Sequence, residues 1–260
     1  MTLTYSKYLK LDELLALQRP ASDPPEHDEM LFIVIHQVYE LWFKELLHEF
    51  AKIKTDFSAN RVHDAIHTLK RSRMILKTLV AQIDILETMT PMSFKSFRDR
   101  LDTASGFQSV QFREVEFVLG YKRPEMLKYH AEGGPGRATL AARLRERSVI
   151  DHFHDLLEHH GVTIPESLRR RDLAQPLEPN EDIQRGILRL YTSVPELAIL
   201  FELMTDIDEG HQEWRYRHVK LVERTIGNKK GTGGSLGVAF LKKSLFIPVF
   251  PDLWAIRHEL

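Results

Sequence analysis

The sequence predicts an all-α protein. Over long stretches apolar residues recur at three- and four-residue spacing with charges between them, which is the helical period. Glycine is scarce, 13 in 260 residues, so few points in the chain favour sharp turns. The glycines cluster, chiefly in Glu132-Gly133-Gly134-Pro135-Gly136 and between Gly227 and Gly237.

Taken in order, the pattern gives a short helix from Tyr5 to Gln18, closed by Arg19-Pro20, and then a loop through Ser22-Asp23-Pro24-Pro25. A long helix runs from His27 to Phe57. Asn60 is placed to cap a second one that continues to about Met89, before Pro91. Shorter helices are expected from Ser93 to Leu101 and from Gln108 to Leu119. The Gly/Pro segment at 132–136 separates these from a helix over 138–160, which Gly161 ends. The last long pattern spans Asn180 to Ile226, and Pro195 inside it predicts a break or kink. A glycine-rich loop at 227–237 follows. The prolines of Phe246-Ile247-Pro248-Val249-Phe250-Pro251 argue against a continued helix in the tail. With no linker and no internal repeat, one helical domain over 1–260 is the default, and an insertion at 130–180 is the alternative.

Composition narrows the function. Thirty-six basic against 37 acidic side chains leave a formal charge of -1, which is not the footprint of a nucleic-acid binder. Without cysteine the chain has no disulfide, no thiolate-ligated haem and no cysteine nucleophile. Lys7, Lys10, Asp12 and Glu13 interrupt any apolar core of a secretory signal. No apolar run approaches the ~20 residues that cross a bilayer. A cytoplasmic protein without a membrane partner is the expectation.

Several segments carry chemistry. Met30 to Ile35 are six consecutive apolar residues ahead of His36, so this helix is buried nearly all round. Phe32, His36, Tyr39 and Phe43 share one stripe, which gives His36 aromatic surroundings. From this segment alone, a core histidine satisfied by a backbone carbonyl or a side chain is the favoured reading. His211, Trp214 and His218 stack on one helix face, and either histidine could be a metal ligand. His36 and Glu40 with one of those two would make a two-histidine, one-carboxylate iron site, a constellation easily met by chance among 13 histidines. Arg98, among Phe94, Phe97 and Leu101, suits a bidentate carboxylate clamp, or alternatively a structural salt bridge. Gly231-Thr232-Gly233-Gly234-Ser235-Leu236-Gly237 follows a helix, whereas a dinucleotide-binding loop must follow a strand, so nucleotide binding is rejected.

Together these segments resemble the tryptophan 2,3-dioxygenase family. The resemblance rests on Tyr5 to Leu15, His27 to Lys44, Phe97 to Arg113, Trp214 to His218 and Gly231 to Gly237, in order from end to end. It implies a helical haem enzyme that inserts both atoms of dioxygen across the indole C2–C3 bond of L-tryptophan. The product is N-formylkynurenine, in the first step of the kynurenine pathway. It implies one haem b per subunit and a homotetramer built as a dimer of dimers.

By position, the resemblance makes His218 the proximal iron ligand and His36 the distal histidine beside the indole N–H. Arg98 matches the clamp on the substrate carboxylate, and Thr232 the residue that meets the ammonium and carboxylate. Phe32, Phe94 and Leu101 match pocket walls, and Ser105 and Gly106 lie beside the haem. Tyr5, Tyr8 and Leu9 match an N-terminal arm, residues 1–20, exchanged to a neighbouring subunit's pocket. Some members carry tyrosine where this chain has Phe94, so a phenolic hydrogen bond there is absent. A haem sensor or carrier without turnover is the alternative, but it would have no use for an Arg98 and Thr232 pair aimed at an amino acid.

Overall fold

The computed structural model describes residues 2–227, 229 and 237–260. Among them there is no strand, and no helix is long and apolar enough to cross a membrane.

The N-terminal pattern forms two short helices rather than one, α1 (Tyr5–Leu9) and α2 (Leu11–Leu14). Lys10 breaks them with a left-handed φ of 56°. Neither helix buries a residue, so nothing tertiary holds them in one continuous rod. The chain then enters α3 (His27–Ser58), about 48 Å long by the helical rise. Glu29 in its first turn accepts the backbone N–H groups of Ala21 and Ser22, which docks the incoming loop.

The second long helix, α4 (Val62–Leu86), does not start from an Asn60 cap. Asn60 sits at φ 54° in the turn itself, and its side-chain oxygen pairs with His160 Nε2 at 2.9 Å. The next helix, α5 (Pro91–Arg98), takes Pro91 into its first turn under a Thr90 cap, where a missing N–H costs nothing. A 3-10 turn over Asp99–Leu101 and another over Gly106–Gln108 lead to α6 (Val110–Leu119).

The single helix expected over 138–160 is two, α7 (Pro135–Arg145) and α8 (Val149–His159). Ser148 and Asp151 form a capping box between them, a start signal inside an otherwise continuous helical pattern. After α9 (Glu166–Arg169), the break expected at Pro195 divides α10 (Glu181–Ser193) from α11 (Pro195–Ile226), with the proline as the first helical residue. Short helices α12 (Val238–Lys242) and α13 (Pro251–Ala255) finish the chain.

The core is built on three rods. α4 packs along both α3 and α11, and those two make their main contacts with it rather than with each other. Its apolar face, including Leu69, Leu76, Leu79 and Ile83, is almost fully buried. The Tyr39 hydroxyl on α3 donates to the Leu79 carbonyl on α4 at 2.8 Å. The tail is tied back to α11 by Asp208, whose Oδ2 accepts the Val249 and Phe250 N–H groups and the Trp254 indole N–H at 2.9–3.0 Å. A smaller apolar cluster of Phe117, Met126, Leu140 and Leu144 joins α6 to α7.

Candidate functional site

The two long outer rods and the α5–α6 connection enclose a cavity of about 580 Å³, within the usual range for a small-molecule or cofactor site. α3 presents Phe32, His36 and Glu40 to it, α5 presents Phe94 and Arg98, and α11 presents Trp214 and His218. Leu101, Ser105 and Gly106 complete the wall between α5 and α6. Thus the described positions that the family resemblance marks, other than the N-terminal arm, converge on one space. Thr232 lies outside the described residues. Tyr5, Tyr8 and Leu9 are elsewhere, 76%, 70% and 40% exposed on their own subunit.

His36 occupies the apolar end. Its ring centroid is 4.1 Å from that of Phe32, and Phe32 is 5.8 Å from Phe94 and 5.5 Å from Phe97. Nδ1 lies 2.6 Å from the Phe32 carbonyl, which can only accept, so Nδ1 carries the proton. Loss of hydration lowers the His36 pKa below its ordinary value, against the opposing pull of the Phe32 carbonyl and Glu40. The imidazole is therefore neutral at pH 7, with Nε2 as a bare acceptor.

His218 stands across the cavity near the far end of α11. The Trp214 indole lies one turn away in a parallel stack, centroids 5.0 Å apart and planes 7° from coplanar, with Phe112 4.8 Å from the indole. Burial, and then the neighbouring His36 and Arg113, push its pKa down to about 4. This too is a neutral imidazole with a lone pair to offer a metal. His211 does not border the cavity. It is 1% exposed, with both ring nitrogens lacking a hydrogen-bond partner among the described residues.

Beneath the cavity lies a charge cluster that no sequence pattern foreshadows. Glu116, on α6, is contacted by Arg113, by Arg123 at 2.6 Å and by Arg215 at 3.1 Å. Burial alone would raise the Glu116 pKa, but the three guanidinium groups outweigh it and hold it at about 2. Arg123 and Arg215 also lie 4.6 and 4.5 Å from the Tyr121 ring centroid. Three cations against one carboxylate leave a positive surplus on the wall, and the buried Nε–H groups of all three arginines have no acceptor among the described residues.

A family model for tryptophan 2,3-dioxygenase matches residues 1–142 and 142–260. The chain belongs to that family. A tryptophan 2,3-dioxygenase of Herpetosiphon aurantiacus is 53% identical over 258 residues, covering 99% of this chain and 98% of that protein. One from Anaeromyxobacter sp. is 50% identical over 258 residues, covering 99% and 96%. Another from Caulobacter vibrioides is 42% identical over 261 residues, covering 99% and 98%.

Tryptophan 2,3-dioxygenases are haem enzymes, and the cavity fits haem b on three counts. His218 offers a neutral imidazole, a donor that suits haem iron. The surplus positive charge and the acceptor-less Nε–H of Arg113 suit the carboxylates of the haem edge. Open space adjoins Gly106 in the cavity wall, where a Cβ would meet nothing within 4 Å.

Proposed function

We propose that this cavity opens the indole ring of L-tryptophan, inserting both atoms of dioxygen across C2–C3 to give N-formylkynurenine, the first step of the kynurenine pathway. The observation that carries the reading is the convergence of two neutral histidines and Arg98 on one largely apolar cavity.

His218 would hold the iron of haem b, with Arg113 available to pair its carboxylates and Ser105 and Gly106 in the same wall, and the group would supply the iron at which dioxygen is activated. The chain's own task is then positioning. Nε2 of His36 accepts the indole N–H, which orients the ring edge to be cleaved. Phe32, Phe94 and Leu101 wall the ring and exclude water. Arg98 forms a bidentate pair with the substrate carboxylate, and Thr232 meets the ammonium and carboxylate. Both oxygen atoms enter one substrate, so the cycle needs no net electrons and no flavin or nicotinamide domain.

The purified holoprotein should show a Soret band and, with L-tryptophan, dioxygen and a reductant to hold the iron ferrous, accumulate the near-ultraviolet absorbance of N-formylkynurenine. A Soret band with no product would leave a haem sensor or carrier instead.

The assembly belongs to the same reading: a cytoplasmic homotetramer, a dimer of dimers, in which the arm over residues 1–20 closes a neighbour's pocket. The support is the patch of Tyr5, Tyr8 and Leu9, at helical spacing and left exposed by the described residues of its own subunit. Deleting residues 1–10 should leave haem bound, cut activity sharply and loosen the dimer. Mixing that chain with Arg98→Ala subunits should restore part of the activity, because the truncated chain supplies an intact Arg98 pocket and its partner an intact arm. Heterodimers that form without any rescue would mean that the arm serves its own subunit.

A further inference from the structure

Glu40 stands one helical turn beyond His36 on α3, in the cavity wall. As a carboxylate near two histidines it is a natural thought for a metal ligand, yet both its oxygens are already engaged. Oε1 accepts from Ser109 Oγ at 2.6 Å and Oε2 from Gln111 Nε2 at 2.9 Å. The same Gln111 amide also donates to the Glu40 backbone carbonyl at 2.9 Å. These bonds join the middle of α3 to positions 69 and 71 residues further along the chain.

Ser109 is where that tie matters. Its hydroxyl caps α6 by accepting the Phe112 N–H at 3.2 Å, and it closes the turn that opens at Ser105. Within that turn the bonds are local: Ser105 Oγ takes the Phe107 N–H, and Gln108 Oε1 takes the Ser105 N–H, each at 3.4 Å. Its 3-10 stretch, Gly106–Gln108, has no buried residue, and the ring contacts of half-buried Phe107 are with Tyr129 and Phe240, 5.5 and 5.3 Å away, neither of which lies on α3. A hydrogen bond to an ionised carboxylate is roughly twice as strong as a neutral one. The turn's distance from α3 is thus governed from outside it.

We propose that Glu40 is a positioning residue that pins the Ser105–Ser109 turn to α3 and so fixes the spacing between His36 and the wall around Gly106. The catalytic consequence rests on the dioxygenase reading above. Displacing that wall shifts the reacting groups relative to one another while the substrate's amino-acid end stays held by Arg98. The loss should therefore fall on kcat rather than on KM.

The test compares three holoenzyme variants with their parent. Glu40→Ala should lower kcat roughly tenfold or more, since small misplacements are costly, with KM little changed. It should also broaden or split the C–O stretching band of the ferrous carbon monoxide complex. Glu40→Gln can still accept from Gln111 and, through its amide, donate to Ser109, so it should recover most of the missing kcat and a single band. Gln111→Leu, which spares the α6 cap, should shift kcat and the band in the same direction as Glu40→Ala. It carries the test should Glu40→Ala fail to fold. Parental kcat and a single band in both Glu40→Ala and Gln111→Leu would overturn the proposal. So would a Glu40→Gln variant as impaired as Glu40→Ala, because charge acting on His36 would then be the cause. A parent that binds haem but makes no product would sink the dioxygenase reading alone, and the carbon monoxide band would still test the tie.

Discussion

Replacing His218 with alanine is expected to yield a folded chain that retains almost no haem. The imidazole borders the cavity near the end of α11, and its ring packs in a stack on Trp214, so truncating it leaves helix and core intact. The proposed bond to iron is lost with the side chain, and no other described histidine on α11 borders the cavity to replace it. Removing an outer-shell partner costs metal sites about 10–100-fold, and removing the ligand itself should exceed that. The Soret band should vanish while the far-ultraviolet circular dichroism stays that of the parent. His211→Ala is the control: its side chain does not border the cavity, and haem should remain. Normal haem content in the His218 variant would remove this residue as the ligand.

Arg98→Ala should weaken tryptophan binding by about two orders of magnitude or more. A buried, charge-assisted pair loses about 2–5 kcal/mol when one partner is cut away, much of it the cost of stranding the carboxylate. Arg98→Lys should fall between, because an ammonium keeps the charge but loses the planar fork. Tryptamine, which lacks the carboxylate, should be a poor ligand for the parent and should weaken little further with Arg98→Ala. Equal affinity of the parent for tryptamine and tryptophan, read by titrating the haem absorbance, would show that the clamp is misplaced.

The long rods were legible because burial along one face of α3, α4 and α11 leaves a periodic trace in the residues themselves. Pro195 marked its own break. Local backbone chemistry was harder: Lys10 and Asn60 adopt left-handed conformations that no pattern demands. The Ser148 start is a two-residue signal inside a longer apolar rhythm. At the site, helical spacing put His211 and His218 on one face but could not rank them. The choice depends on which end of α11 borders the cavity, and that is set by packing with other elements. The family resemblance alone singles out His218. Nothing in the chain announced the Glu116 cluster, since Arg113, Arg123 and Arg215 read as ordinary surface charges until folding brings them to one carboxylate. Glu40 stands out in the sequence only by its spacing from His36, while its hydrogen-bond partners lie 69 and 71 residues away.

The two histidines ride on helices that are kept apart by a third. Each helix pair packs at about 8–10 Å between axes, the value depending on the side chains in the seam. Changes at Leu76 or Leu79, neither of which touches the cavity, would therefore widen or narrow it as a wedge moves a vice. Neutral drift in the α4 seam gives such a lineage a way to admit bulkier or slimmer indoles with every contact residue preserved. A catalogue of site residues would score such relatives as identical, and their difference would have to be sought in the spacer.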